Sequence, residues 1–165
     1  MERLVTPMAM IAAYGLTNVT YYPPAATEGT VDPRAMNLLS SVGLPHSKVF
    51  VSREDPQDPN VFPCGAWWPL GYLFTSLIAL DPRSGNVYAL AESEDRYEIL
   101  HRDLESLLFA LIQFRKLEID HDNGVDPEEL SERFRQVVGA FDPTPFADEE
   151  SQWNLSLEEL EHGIW

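Results

Sequence analysis

The sequence predicts one mixed domain of helices and antiparallel strands. Apolar residues recur at helical spacing in several segments that begin with helix-capping residues. By contrast, two apolar, β-rich runs flank a tight turn in the middle of the chain. The chain has 165 residues, of which 44% are apolar and 18 are aromatic. This size and composition fit one domain, over residues 1–165, with a core that needs no disulfide.

Two helices are predicted in the first quarter of the chain from the signals at their N-termini. Thr6-Pro7 predicts a short helix over residues 8–14, and Asp32-Pro33 predicts a second helix that stops at Gly43. In both cases a side-chain oxygen caps free backbone amides, and proline stands where no intrahelical hydrogen bond is made. The apolar face of the second helix consists of Met36, Leu39 and Val42.

The middle of the chain predicts strands. The strongest pattern is a hairpin in which the runs at residues 72–80 and 86–91 flank a turn at residues 81–85. In this turn Pro82 fixes one backbone angle and Gly85 accepts a positive φ. Shorter strands are predicted over residues 48–53 and 97–100, and an irregular loop rich in Asp and Pro is predicted over residues 55–66.

Three more helices follow. Asp103 predicts the N-cap of a long helix to about Leu117, whose broad apolar stripe indicates packing against the sheet. After an acidic loop at residues 120–125, Asp126 and Glu129 predict a capping box for a helix over residues 127–138. A final helix over residues 148–161 has one apolar face, formed by Trp153, Leu157 and Leu160.

The net charge of −16 is unevenly distributed. Residues 1–117 carry 13 acids and 9 bases, whereas residues 118–165 carry 14 acids and 2 bases. Such a charge repels phosphate backbones and anionic lipids, so nucleic acid and membrane surfaces are not expected as partners. Two interpretations remain open: a solvated surface that confers solubility, or a surface complementary to a basic protein.

No pattern of catalytic or cofactor-binding residues is found. Cys64 lies in a Pro-Cys-Gly loop without a nucleophile motif, and the chain has no phosphate-binding glycine loop. The stretch from Asp120 lacks the glycine and glutamate of a calcium loop in either register, and the four histidines lack zinc-ligand spacing. We therefore expect no catalytic residue, no metal and no cofactor.

Three groups of residues are candidates for contact with a protein partner. One acidic group follows the hairpin and a second lies near the predicted loop at residues 120–125; the alternative is that both are merely solvated. Adjacent residues of an extended segment face opposite ways, so one of two neighbouring tryptophans can serve as an exposed anchor, unless both are buried. The candidates are Glu92, Glu94 and Asp95; Asp120, Asp122 and Glu132; and Trp67 and Trp68.

The order of these motifs resembles the SUKH superfamily of immunity proteins, and most closely its fourth family. The resemblance covers nearly the whole chain. It rests on the helix end Val42–Pro45, on Leu70-Gly71 with the hairpin Ile78–Tyr88, and on the segment from Trp153 to Leu157–Gly163. It implies an α+β fold with a central, mostly antiparallel or mixed β-sheet flanked by helices. It also implies neutralisation of a polymorphic toxin, often a nuclease or a deaminase.

Together, these observations predict a cytoplasmic immunity protein that is not an enzyme and that binds a basic toxin domain through an acidic surface. The single cysteine and the lack of an N-terminal signal pattern favour the cytoplasm. A regulatory module that binds a different kind of protein is the alternative, and the sequence does not separate the two.

Overall fold

The computed structural model describes residues 4–22, 32–53, 67–91 and 96–164. Within these ranges the α+β class is confirmed, since five helices accompany a five-stranded antiparallel sheet and a small two-stranded sheet. The predicted irregular loop at residues 55–66, which includes Cys64, lies outside the described residues. The acidic stretch at residues 92–95 lies outside them as well.

The helices are α1 (Pro7–Tyr14), α2 (Pro33–Ser41), α3 (Leu104–Asp122), α4 (Pro127–Phe141) and α5 (Gln152–Glu161). The small sheet pairs β1 (Val19–Thr20) with β2 (Leu44–Pro45). The large sheet has the strands in chain order: β3 (Phe50–Ser52), β4 (Trp68–Leu73), β5 (Ser76–Leu80), β6 (Val87–Ala91) and β7 (Tyr97–His101). All its neighbouring strands are antiparallel, so the large sheet is a meander.

The first two helices begin as predicted. The Thr6 hydroxyl accepts a hydrogen bond from the Ala9 amide at 3.0 Å, and the Asp32 carboxylate accepts one from the Arg34 amide at 3.2 Å. Helix α2 ends next to Gly43, whose amide donates to the Leu38 carbonyl. These caps depend only on neighbouring residues, which is why local sequence was sufficient to predict them.

The predicted strand over residues 72–80 is wrong, because the chain reverses within it. Strands β4 and β5 pair across a two-residue connection, Phe74–Thr75, with Leu73 opposite Ser76. Phe74 takes a positive φ of 52°, which is uncommon for a non-glycine residue. Its ring packs edge-on against Phe114 and Trp153, so the core holds it in this conformation. No Gly, Asn or Pro marks the turn.

The turn between β5 and β6 is confirmed at the predicted residues. The Gly85 amide donates to the Asp81 carbonyl at 2.9 Å, and Gly85 has a φ of 80°. The Asp81 carboxylate accepts hydrogen bonds from the Arg83 amide and the Ser84 hydroxyl. The predicted strands at residues 48–53 and 97–100 are also present, as β3 and β7.

Helix α3 is capped by Asp103 as predicted, through the Ser106 amide at 2.9 Å. However, it continues to Asp122, so the predicted loop at residues 120–125 is wrong for its first three residues. Asp120 forms an ion pair with Arg133 of α4. This packing of α3 against α4 extends the helix beyond the end of its apolar stripe, since tertiary contacts override weak propensities.

Two predicted N-termini need correction. Asp126 is the N-cap of α4, but its side chain makes no capping hydrogen bond, so the predicted capping box with Glu129 is wrong. Helix α5 begins at Gln152 and not at residue 148. Its cap is Ser151, whose hydroxyl accepts from the Asn154 amide. The predicted apolar face of α5 is confirmed, because Trp153, Leu157 and Leu160 are buried.

The core is a layer of aromatic and aliphatic side chains between the sheet and the helices. Trp153 of α5 is fully buried at its centre. Its ring lies 5.2 Å from Phe134 of α4 and 5.4 Å from Phe114 of α3, measured between ring centroids. Three helices therefore meet at one tryptophan, which packs them together.

Candidate protein-binding surface

The acidic candidates differ in how free their carboxylates are. Asp120 is half-buried and paired with Arg133, so its charge is already neutralised by a neighbour. Asp122 is exposed at the end of α3. Glu132 is exposed on α4 and accepts a hydrogen bond from the Gln136 side chain at 3.4 Å. Glu92, Glu94 and Asp95 lie outside the described residues.

An acidic patch surrounds the junction of α3 and α4, which we call the acidic helix end. Its members are all exposed carboxylates at the end of α3 or in the first turns of α4: Asp122, Asp126, Glu128, Glu129 and Glu132. Asp126 and Glu129 belong to it because the capping box is not formed. Exposed carboxylates of this kind attract basic partners over a distance but individually contribute little binding energy.

The two neighbouring tryptophans have different surroundings, and each is partly buried. Trp68, the first residue of β4, packs against the hydrophobic core. The Trp67 ring stacks on Tyr88 of β6, with the centroids 3.9 Å apart and the planes inclined by 15°. The Tyr97 ring of β7 meets Trp67 edge-on at 5.3 Å. Trp67 is thus the centre of an aromatic cluster with Tyr88 and Tyr97.

This cluster lies on the side of the sheet opposite the core, which we call the outer face. The strand register aligns one row of side chains across all five strands of the sheet: Val51, Tyr72, Leu77, Leu90 and Tyr97. Each member is exposed or half-exposed, and Tyr97 retains 54% of its accessible surface. On β7, Ile99 is also 44% exposed. An apolar row of this length is typical of a binding surface.

A cleft of about 380 Å³ opens on the helix side of the sheet, between the start of β7 and the start of α5, and Tyr97 contributes to its lining. We call it the edge cleft, and its charged lining residues are Arg96, Glu98, Asp148 and Glu150. Arg96 forms an exposed ion pair with Glu150 at 3.7 Å. Burial, together with the charge of the neighbouring Asp148 and a hydrogen bond to it, raises the pKa of Glu98 to about 7.

A buried polar network links the edge of the sheet to the helices. His101 of β7, Ser106 of α3 and Asp142 at the end of α4 are each at most 1% exposed. The His101 Nδ1 atom lies 2.7 Å from the Ser106 hydroxyl, which lies 2.7 Å from an Asp142 carboxylate oxygen. The indole Nε1 of Trp153 donates to His101 Nε2 at 2.9 Å.

The donors and acceptors fix the protonation state of this network. An indole N–H is only a donor, so His101 Nε2 accepts and the proton of a neutral imidazole resides on Nδ1. The Nδ1–H group then donates to Ser106, and the Ser106 hydroxyl donates to Asp142. Burial lowers the pKa of His101 to about 3, although the nearby Asp142 carboxylate acts in the opposite direction. The imidazole is therefore neutral near pH 7.

Asp142 stays ionised in spite of its burial. Burial alone raises its pKa, but hydrogen bonds from the Arg102 amide, the Thr144 side chain and amide and Ser106 outweigh that effect and lower it. Ser, His and Asp are in contact, yet their order differs from a catalytic triad, because the serine donates to the aspartate and not to the histidine. A fully buried hydroxyl is also inaccessible to a substrate. The network therefore stabilises the fold.

Sequence reasoning missed both the buried network and the outer face. Ser106 is three residues after the Asp103 cap, and His101 two residues before it, at the end of a strand, so a helix start explained the segment on its own. The available signal was a histidine and a serine on either side of a predicted N-cap, together with a single tryptophan in the last predicted helix. The aligned row on the sheet depends on the strand register, which the turns did not reveal.

Two further findings concern the described residues only. No described helix is long and apolar enough to cross a membrane. Within residues 4–22, 32–53, 67–91 and 96–164, no three His, Cys, Asp or Glu side chains are grouped so that they could hold a metal ion.

The fold and its surfaces define an α+β protein with a buried polar network on the helix side of the sheet and an apolar outer face. A family model, that of the SUKH-4 immunity proteins, matches residues 5–159. The chain therefore belongs to the SUKH-4 immunity protein family, as the resemblance of its motifs indicated. Membership in a family of immunity proteins indicates that its partner is a protein toxin. Neither a curated protein nor a solved structure matches the chain.

Proposed function

We propose that this protein binds and neutralises a polymorphic toxin that acts on nucleic acid, either a nuclease or a deaminase. In this proposal the toxin presents a basic substrate-binding surface, and the immunity protein covers it with an acidic one. The observation that carries the proposal is the charge distribution, with 14 acids and 2 bases after residue 117. In the described structure, most of these acids are exposed.

Charge complementarity explains why such an inhibitor would be effective. A protein that binds nucleic acid displays Lys and Arg where phosphates dock. An acidic inhibitor competes for the same groups and also accelerates the encounter, because opposite charges steer diffusion. The protein acts by occupying its partner and not by catalysis, and it acts in the cytoplasm, where a single cysteine stays reduced.

Co-expression with toxin domains tests the proposal. Nuclease and deaminase toxin domains from the same genome would be expressed in a bacterial host, each with and without this protein. We expect growth to be restored for at least one of them, with a stable complex on gel filtration. A pore-forming toxin domain serves as the comparison from another class.

Rescue restricted to the pore-forming domain would contradict the nucleic-acid target, while leaving toxin neutralisation intact. Rescue of none of the toxin domains, with the protein folded and soluble in the host, would contradict the function itself. A complex that forms without loss of toxin activity would also contradict it, because neutralisation requires that the basic surface be covered.

A further inference from the structure

The outer face and the edge cleft lie on opposite sides of the sheet and meet at its edge strand, β7, where Tyr97 belongs to the outer face and the next residue, Glu98, is opposite Ala89 on the helix side. The Tyr97 side chain ends the apolar row across the sheet, contacts Trp67 in the aromatic cluster, and also lines the edge cleft. A surface that combines partly exposed aromatic rings with charged side chains resembles the composition of binding hot spots, where aromatic anchors are held in packed pockets. The stacked Trp67 and Tyr88 rings lose little side-chain entropy on binding, because each is already held by the other.

The edge cleft carries an excess of negative charge. Three carboxyl groups, those of Glu98, Asp148 and Glu150, line it together with the single guanidinium of Arg96. Glu98 and Asp148 both line this cleft, and burial together with the nearby Asp148 carboxylate raises the pKa of Glu98 to about 7. A cation placed in the cleft would allow both carboxylates to ionise and would relieve their repulsion.

We propose that the outer face at Tyr97, together with the edge cleft, is the docking site for an arginine-bearing surface of the toxin. This inference rests on the proposed function and specifies where and how the partner is held. Arginine suits both halves of the site, since its planar guanidinium stacks on aromatic rings and forms paired hydrogen bonds to carboxylates. In this arrangement the acidic helix end steers the toxin and does not anchor it.

The charges argue against a second copy of this chain as the occupant. Two copies meeting through this site would bring two sets of cleft carboxylates together, on chains that each carry a net charge of −16. Repulsion between like charges disfavours that contact. A basic partner, by contrast, pairs with the cleft carboxylates and covers the aromatic row at the same time.

The test compares two sets of variants by their affinity for the toxin domain that the protein neutralises. The site variant combines Tyr97→Ser with Glu98→Gln, and the matched control combines Asp122→Asn, Glu128→Gln and Glu132→Gln. We expect the site variant to raise the Kd at least about 30-fold, as at other hot spots, and the control to change it by less than about 5-fold. Tyr97→Phe should bind like the parent, because it keeps the ring.

Thermal unfolding of every variant separates lost contact from lost fold. A site variant that is folded and binds like the parent would overturn the proposal. So would a control variant that loses more affinity than the site variant. Loss of binding in Tyr97→Phe but not in Glu98→Gln would also contradict it, because the guanidinium–ring contact does not need the phenol hydroxyl.

A second measurement decides the proposal even if no toxin is neutralised. A short peptide with three arginines and the same peptide with three citrullines, which lack the charge, would be titrated into the protein and followed by NMR. We expect the arginine peptide to shift the signals of Tyr97, Glu98 and the Trp67 indole, and the citrulline peptide to shift them far less. Equal shifts with both peptides, or shifts confined to the acidic helix end, would refute the docking site.

Discussion

The two sides of the sheet are built on opposite principles. On the helix side, Trp153, His101 and Asp142 are buried, and each polar group has a partner. On the outer face, Tyr97 keeps 54% of its surface and Val51 keeps 42%. Away from the edge cleft, the first side uses its side chains to stabilise the fold, whereas the second leaves apolar surface exposed. The difference indicates where mutations should affect stability and where they should affect binding.

The largest expected effect separates two tryptophans. Trp153→Ala should lower the free energy of unfolding by about 4 kcal/mol, since it removes a fully buried ring. In addition, His101 loses a hydrogen-bond donor. Trp67→Ala should cost no more than about 1.5 kcal/mol, because it removes one stacked contact from a partly exposed face. Guanidinium chloride unfolding measures both. Similar losses of unfolding free energy for the two variants would contradict the distinction between the two sides of the sheet.

The buried His101 predicts a pH dependence of stability. In the unfolded chain His101 takes up a proton near pH 6.5, whereas in the folded protein its pKa is about 3. Between these values the unfolded state binds more protons, so stability falls as the pH falls from 6.5 towards 3. One such group contributes a slope of at most about 1.4 kcal/mol per pH unit.

The titration of Glu98 gives stability the opposite dependence on pH, so this residue must be replaced before the effect of His101 is measured. Its folded pKa of about 7 lies above the ordinary 4.5, so its contribution to stability is lost as the pH rises towards 7. Urea unfolding of Glu98→Gln, with and without His101→Gln, between pH 4.5 and 6.5 isolates the histidine. Asp142, with its lowered pKa, titrates below this range. Equal slopes in the two variants would show that His101 is not the cause.

A smaller effect is expected at the turn between β5 and β6. This turn contacts the start of α2, because the Asp32 amide donates to the Pro82 carbonyl and a side chain at Gly85 would come within 3.2 Å of the Asp32 carboxylate. Gly85→Val should therefore lower stability by about 1 kcal/mol or more, since the residue also has a positive φ. Gly124→Val is the matched control.

Gly124 has a similar φ of 87°, but a side chain there would meet no atom within 4 Å. The control thus reports backbone strain alone, and the difference between the two variants reports the contact with α2. An unfolding midpoint for Gly85→Val equal to that of the parent would mean that the turn has a different conformation.

The smallest effect on binding energy concerns the acidic helix end. Added salt should slow the association of the toxin steeply, because exposed charges are screened within about 8 Å at physiological ionic strength. Neutralising Asp122, Glu128 and Glu132 together should flatten this dependence, while each charge contributes less than about 1 kcal/mol to affinity. Stopped-flow mixing at low and high salt measures the association rate of the parent and of this variant. A parent rate that does not change with salt would rule out electrostatic steering.

Local signals predicted much of this fold. The caps at Thr6, Asp32 and Asp103 and the turn at Gly85 each depend on a few neighbouring residues, and the structure confirms them. The reversal at Phe74 was not predictable in this way, because a phenylalanine has no turn preference and is held there by the core. Helix α3 was likewise predicted to end too early, because its last turn is stabilised by packing against α4, including the Asp120–Arg133 ion pair.

The sequence suggested residue types for a binding surface but not their arrangement. Trp67 and Trp68 were both candidates for an aromatic anchor, yet the partners of Trp67, Tyr88 and Tyr97, lie 21 and 30 residues away in the chain. Their proximity depends on the pairing of β5, β6 and β7, including an irregularity in register at Val87–Tyr88. Pairing between distant segments is not encoded by composition or spacing.

Trp153 is also synthesised later than the core residues that surround it. The strands and α3 leave the ribosome before α5, so the helix side of the sheet lacks its central ring until the last described helix has been made. At roughly 5–20 residues per second, the 31 residues that separate Asp122 from Trp153 take a few seconds to synthesise. During that interval Phe74, Phe114 and Phe134 lack the Trp153 ring that packs against all three, so the core of the nascent chain is incomplete.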